Sequence, residues 1–170
     1  MRTGHDFARG PAGLMLHPMP RVLLLLRHGR AGGQAPAAPL LPEGVAQLET
    51  LAARLVREGG RADAVFTSRY LRARDTTAIV AGAIAPGTVP VVLDELVPET
   101  PPREAMLALL AVGLPEGRAL VVAHLPLVGL LCQWLTGEDP GFHPGTLAEI
   151  ALDDAGTGGR LVRVLGPGER

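Results

Sequence analysis

Lysine and asparagine are absent from this 170-residue chain, Ser68 is its only serine and Cys132 its only cysteine. A single cysteine excludes an intrachain disulfide framework and a thiolate metal cluster, so a reducing, cytoplasmic setting is expected. Aromatic residues make up 3% of the chain and the net charge is -1 with no basic run, which removes the stacking and electrostatic footprint of a nucleic-acid binder. The apolar run Val22 to Leu26 is far short of the roughly 20 residues that a membrane-crossing helix needs, so a soluble protein is expected. The exclusive use of arginine as the basic residue fits the codon bias of a GC-rich genome.

What is present is core material: 47% apolar against 19% charged residues, enough for one ordinary domain with a real interior. Residues 1–20 mix Gly, Pro, His and Arg without hydrophobic periodicity and offer no signal-peptide core. They are expected to be a flexible extension, with Met15 and Met19 as alternative starts to Met1, ahead of a single domain over residues 21–170.

Val22 to Leu26 is apolar without alternation and stops at a charged pair, the pattern of a strand buried on both faces that ends at a site. After a Gly/Ala/Pro loop, Val45, Leu48, Leu51, Leu55 and Val56 recur at helical spacing from Glu43, and Gly59-Gly60 supplies a stop. Ala64 to Thr67 reads as a short strand, with Ser68 as N-cap of an Ala-rich helix from Arg69 to Ile84. Further along, Val89 to Leu93 is a strand, Arg103 to Val112 a helix and Ala119 to Ala123 a buried strand ending at His124. Pro126 suits the first turn of a helix reaching about Trp134. Leu147 to Leu152 and Leu161 to Leu165 read as a terminal hairpin. This alternation predicts an α/β fold, a mostly parallel central sheet with helices on both faces.

Ligands of such sheets bind beyond the carboxyl ends of the strands, where this chain delivers Arg27-His28, then Ser68 with Arg72, then His124. Each piece alone has a bland reading: a short triplet, a solvated helix arginine, a core or capping histidine. Together they surround one phosphate-sized space with cationic donors. Clustered buried cations cost stability unless an anion compensates them, so a bound phosphate is the economical explanation. Arg72 and His124 also lie near helix N-termini, which favour anions. Neighbouring positive charge lowers a histidine pKa and keeps His28 neutral and nucleophilic.

Arg27-His28-Gly29, the Ser68 to Ala73 segment and the His124-Leu125-Pro126-Leu127-Val128-Gly129 segment resemble, in order and spacing, the histidine phosphatase superfamily with its phosphoglycerate mutase-like fold. The last segment is similar to that of the SixA-type phosphohistidine phosphatases. The resemblance implies a three-layer α/β/α sandwich and a phosphatase working through a covalent phosphohistidine on His28. By the same resemblance Arg27 and Arg72 hold phosphoryl oxygens, His124 donates to the developing charge, and neither a metal nor another cofactor is required. Ser68 joins the phosphate pocket. Glu95 occupies the slot from which relatives present an acid, with Asp94 and Glu99 as alternates; an exposed loop carboxylate is the equal alternative.

Two departures stand out: Leu41-Pro42 replaces a Leu-Thr common in relatives, and Arg30 follows Gly29 where mutases carry an acidic residue or glutamine. The second argues against a mutase and adds positive charge near the mouth. The short Arg72 to Glu95 segment leaves no long insertion for a lid, so an open pocket and a phosphohistidine protein as substrate are expected. A small phosphate ester (of a sugar, nucleotide or cofactor precursor) is the alternative substrate, and a phosphate-binding module without turnover the non-enzymatic one. A monomer or weak dimer is expected. Cys132 and Trp134 are assigned to helix packing, His143 to a loop, and Arg54, Arg57 and Arg61 to a solvated helix end.

Overall fold

The computed structural model describes residues 20–167. All of the expected N-terminal extension before Pro20, including His5, His17, Met15 and Met19, lies outside the described residues. The chain runs β1 (Val22–Arg27), α1 (Pro42–Arg57), β2 (Ala64–Thr67), α2 (Leu71–Ile84), β3 (Val91–Val92), a 3-10 turn (Asp94–Leu96), α3 (Pro102–Ala111), β4 (Arg118–Ala123), α4 (Leu127–Thr136), β5 (Leu147–Leu152) and β6 (Gly159–Leu165).

One sheet orders its strands β3-β2-β4-β1-β5-β6. β2, β3, β4 and β1 run parallel, while β5 and β6 add an antiparallel hairpin beside β1. Because strand side chains alternate between faces, the apolar run of β1 feeds two cores at once. Leu23 and Leu25 join Val121 of β4 and Met106, Leu109 and Leu131 of the α3/α4 layer. Leu24 and Leu26 join Val122 of β4 and Leu48, Leu55 and Val80 of the α1/α2 layer. The result is a three-layer α/β/α sandwich, as expected. Leu23 to Leu26 are fully buried, and each such side chain stabilises the fold by about 2 kcal/mol relative to exposure.

Several local readings need correction. β3 keeps two of the five expected residues, because it is the sheet edge and both valines stay exposed. α2 starts at Leu71, with Tyr70 as its cap residue and no side-chain cap, and Ser68 lies ahead of the helix, its Oγ accepting from the Tyr70 amide and paired with His124. Val56 faces solvent, leaving Leu48, Leu51, Ala52 and Leu55 as the buried stripe of α1. Trp134 is largely exposed, whereas Cys132 packs as expected. Arg54 is not simply solvated: its Nε bonds Glu58, which continues through Arg163 and Glu149 to Arg118 in a chain of ion pairs.

Candidate active site

β4 lies between β2 and β1, and the three strands are aligned so that Arg27 stands opposite Ala123 and Thr67 opposite Val122. One residue further on, the chain delivers His28, Ser68 and His124 at a single sheet edge. The backbone continues the ladder there, with the His28 amide donating to the Ala123 carbonyl and the Ser68 amide to Val122. These side chains are therefore fixed by the most buried strands of the molecule.

Gly29 has no positive backbone φ, so its lack of a side chain does not serve a left-handed turn. What it supplies is close approach, since a Cβ there would lie 2.7 Å from Leu48 Cδ1. Its amide donates to Thr76 Oγ1 at 3.0 Å, and that hydroxyl donates to the Arg72 carbonyl at 2.7 Å. Thr76 thus ties the His28 loop to the first turns of α2. It was not singled out from sequence, although its place four residues after Arg72, on the same helix face, was the available signal.

His28 Nδ1 lies 2.7 Å from the Gly29 carbonyl, which can only accept, so the ring proton sits on Nδ1. Nε2 then carries the lone pair, and it accepts from Arg72 Nε at 3.1 Å. The other end of the Arg72 guanidinium donates to the carbonyls of Gln34, at 3.2 Å, and Ala35, at 2.9 Å. Arg27 donates through NH1 to the Phe142 carbonyl at 2.7 Å, while its Nε is buried without a partner. Among the described residues neither Arg27 nor Arg72 is paired with a carboxylate.

The His28 and His124 ring centres are 4.9 Å apart, and Tyr70 packs 5.0 Å from His124 with Arg72 over its ring at 5.1 Å. Burial is the main cause that pushes His28 down to about 4; the Gly29 bond opposes it, and the Arg72 and Arg27 charges reinforce it. Burial, then His28, Arg72 and Arg27, takes His124 to about 3. Both imidazoles are consequently neutral at pH 7. Burial also lowers both guanidinium pKa values, with Arg72 adding to the effect on Arg27, and Tyr70 and Glu99 opposing it at Arg72.

The structure thus brings Arg27, His28, Arg72 and His124 together, three of them buried and Arg27 partly so. Ser68 is fully buried and lies 2.7 Å from His124 Nε2. Glu95 is exposed in the 3-10 turn and makes no hydrogen bond or ion pair to these groups among the described residues. Its neighbour Asp94 pairs with Arg69 at 3.0 Å. The carboxylate from this segment whose charge reaches Arg72 is Glu99. No three His, Cys, Asp or Glu side chains are gathered so as to hold a metal ion among the described residues. No helix among them is long and apolar enough to cross a membrane.

Chemically, the site offers an accepting imidazole nitrogen inside a cationic, mostly water-excluded cleft, an arrangement complementary to a tetrahedral oxyanion. Comparison with known proteins agrees with that geometry. Residues 23–100 match the family model described as histidine phosphatase superfamily, branch 1. No curated protein sequence matches significantly. Among solved structures, the protein histidine phosphatase SixA complexed with tungstate superposes with a TM-score of 0.78 at 29% identity, covering 86% of this chain and 97% of that one. SixA from Nakamurella multipartitia gives 0.76 at 26% identity, over 94% and 100% of the two chains. SixA from Agrobacterium tumefaciens gives 0.71 at 25%, over 87% and 99%. By the sequence match over residues 23–100 and by fold, which is phosphoglycerate mutase-like, this chain is similar to the histidine phosphatase superfamily.

Proposed function

We propose that this chain hydrolyses phosphohistidine in a phosphorylated protein through a covalent phosphohistidine of its own on His28. The observation that carries the reading is the pair of guanidiniums, without carboxylate partners, flanking an imidazole nitrogen whose lone pair is free of a proton. Buried cations of this kind are compensated by an anion, and an anion taking up the Arg72 donors would release the His28 Nε2 lone pair that now accepts from Arg72 Nε.

In the first step the Nε2 lone pair attacks phosphorus. The new N–P bond forms as the bond from phosphorus to the substrate's imidazole breaks, and the departing nitrogen keeps that electron pair. Arg27, Arg72 and His124 hold the non-bridging oxygens, whose charge is stabilised by fixed donors rather than by mobile water. The proton on Nδ1 stays on the ring, where the Gly29 carbonyl stabilises the cationic phosphoimidazole. Water then attacks phosphorus, its proton passes to solvent, the N–P electron pair returns to Nε2, and inorganic phosphate leaves.

The leaving group decides between substrate classes. An alkoxide needs a proton as it departs, whereas an imidazole is less demanding. The exposed Glu95 has no contact with the pocket, which favours the phosphoramidate. The likeness to SixA structures at 25 to 29% identity points the same way, and tungstate bound to one of them is a tetrahedral oxyanion.

The test is hydrolysis of a phosphohistidine phosphotransfer protein beside a panel of sugar and nucleotide monophosphates, with wild type and His28→Ala. Preference for the protein, an acid-labile label trapped on the wild type, and at least a ~10³-fold loss in the variant are expected. Faster turnover of one ester would move the assignment to a metabolic phosphatase. Full activity of His28→Ala would remove the mechanism.

A further inference from the structure

The hydrogen-bond inventory around Ser68 fixes which nitrogen of His124 carries a proton. The Ser68 hydroxyl has two partners, His124 Nε2 at 2.7 Å and the Tyr70 amide at 3.3 Å. The Tyr70 amide can only donate, so it occupies a lone pair of Oγ. If His124 Nε2 also donated, the hydroxyl hydrogen of a fully buried serine would be left without an acceptor, a cost of about 1–3 kcal/mol. With Ser68 donating to Nε2, both the serine hydroxyl and Nε2 are satisfied. A neutral His124 then carries its proton on Nδ1, the buried nitrogen that has no partner among the described residues.

We propose that Ser68, braced by the Tyr70 backbone, is a positioning residue that locks His124 in its Nδ1–H tautomer, so that a neutral imidazole presents a donor to the phosphoryl oxygens. This rests on the phosphate-site reading above. It gives the chain's only serine a specific task. The lock matters because His124 cannot rely on a second proton: in a buried site beside Arg72, Arg27 and His28 it does not charge near pH 7. A neutral imidazole in the wrong tautomer would turn a lone pair toward the phosphoryl oxygens. In a histidine whose second proton is freely available the tautomer would be of no consequence, since both nitrogens donate.

Tyr70 explains why the lock holds. It is the cap residue of α2, in extended conformation, with its amide directed back to Ser68 while its ring packs against both His124 and Arg72.

The experiment is a long-range ¹⁵N–¹H correlation spectrum of ¹⁵N-histidine-labelled full-length protein at pH 7, assigned with His124→Gln, for wild type, Ser68→Ala and Ser68→Thr. Wild-type His124 is expected as the Nδ1–H tautomer. Ser68→Ala should show a tautomer mixture, lose kcat by about 10- to 100-fold and bind inorganic phosphate more weakly. Ser68→Thr, which restores the hydroxyl, should recover the tautomer. A wild-type His124 protonated on Nε2 overturns the inference, as does a Ser68→Ala protein that keeps the Nδ1–H form. If Ser68→Ala fails to fold, the wild-type spectrum still decides. A wild type that hydrolyses neither substrate class yet shows the Nδ1–H form removes the proposed function and leaves the tautomer lock standing. Full turnover with the Nε2–H form removes only the lock.

Discussion

Lowering the pH should destabilise this protein through His28 before most of its carboxylates titrate. Folded His28 titrates at about 4 rather than 6.5, chiefly because burial disfavours the charged ring. Above pH 6.5 neither the folded nor the unfolded chain protonates this histidine, so it has no effect on stability. Between 6.5 and 4 the unfolded chain takes up the proton and the folded chain does not. Stability therefore falls as the pH falls through that window, and levels off below 4 when both states are protonated. At about 1.36 kcal/mol per pH unit, the depression from 6.5 to about 4 is worth about 3 kcal/mol. His28→Gln removes this titration while roughly preserving volume. Urea unfolding of both proteins from pH 7 to 4, in buffers free of phosphate, is the assay. The wild type should lose about 3 kcal/mol more than the variant, on top of the losses the two share. Parallel curves would refute the claim that His28 is held neutral by burial.

Other changes separate the contributions of packing and charge. Gly44→Ala should destabilise although alanine is favoured in a helix by about 1 kcal/mol, because the new Cβ would meet the Arg30 backbone oxygen and come within 2.9 Å of its nitrogen. A fall in Tm of about 5–10 °C is expected, and a rise would show that the Arg30 loop moves aside freely. Glu95→Gln should leave phosphohistidine hydrolysis within about twofold of wild type, and a loss above ~10-fold in kcat would identify Glu95 as the acid. Glu99→Gln removes a negative charge that acts on Arg72, so KM for a phosphorylated substrate should fall about two- to threefold at low salt, fading as salt is added. An unchanged KM would place Glu99 outside the approach path.

The parts of this molecule that were legible in the sequence are those where one physical demand dominates. The runs Val22 to Leu26 and Ala119 to Ala123 had to be doubly buried strands, because so many consecutive apolar residues can be satisfied only between two layers. Arg27, His28, Arg72 and His124 stood out because three strand ends delivered them toward one place. Where two demands compete, reading failed. Ser68 reads as a helix cap, and its second partner, His124, is visible only in three dimensions. β3 has strand-forming valines but sits at an edge with one neighbour, so pairing covers only Val91 and Val92. Thr76 was invisible because a threonine on a helix is ordinary until its partner, the Gly29 amide, is known.

The same geometry explains why the site costs stability and why the fold tolerates it. Arg72 is among the largest fully buried side chains of the molecule, and it shares its cleft with Arg27 and two histidines. Much of the cluster is out of contact with water, so the guanidiniums are only partly screened from one another, and burial and the Arg72 charge act to lower the Arg27 pKa. An anion with negative charge shared over several oxygens relieves both penalties at once. On the proposed function, that relief would favour a phosphoryl group in the cleft. The charged cluster is held by β1 and β4, whose leucines and valines are buried on both faces, and by the hydrogen bonds of Thr76 to the Gly29 amide and of Ser68 to His124. A site of this kind tolerates surface change on α1 or α3, but not a one-residue shift in the register between β1 and β4, which would separate His28 from His124.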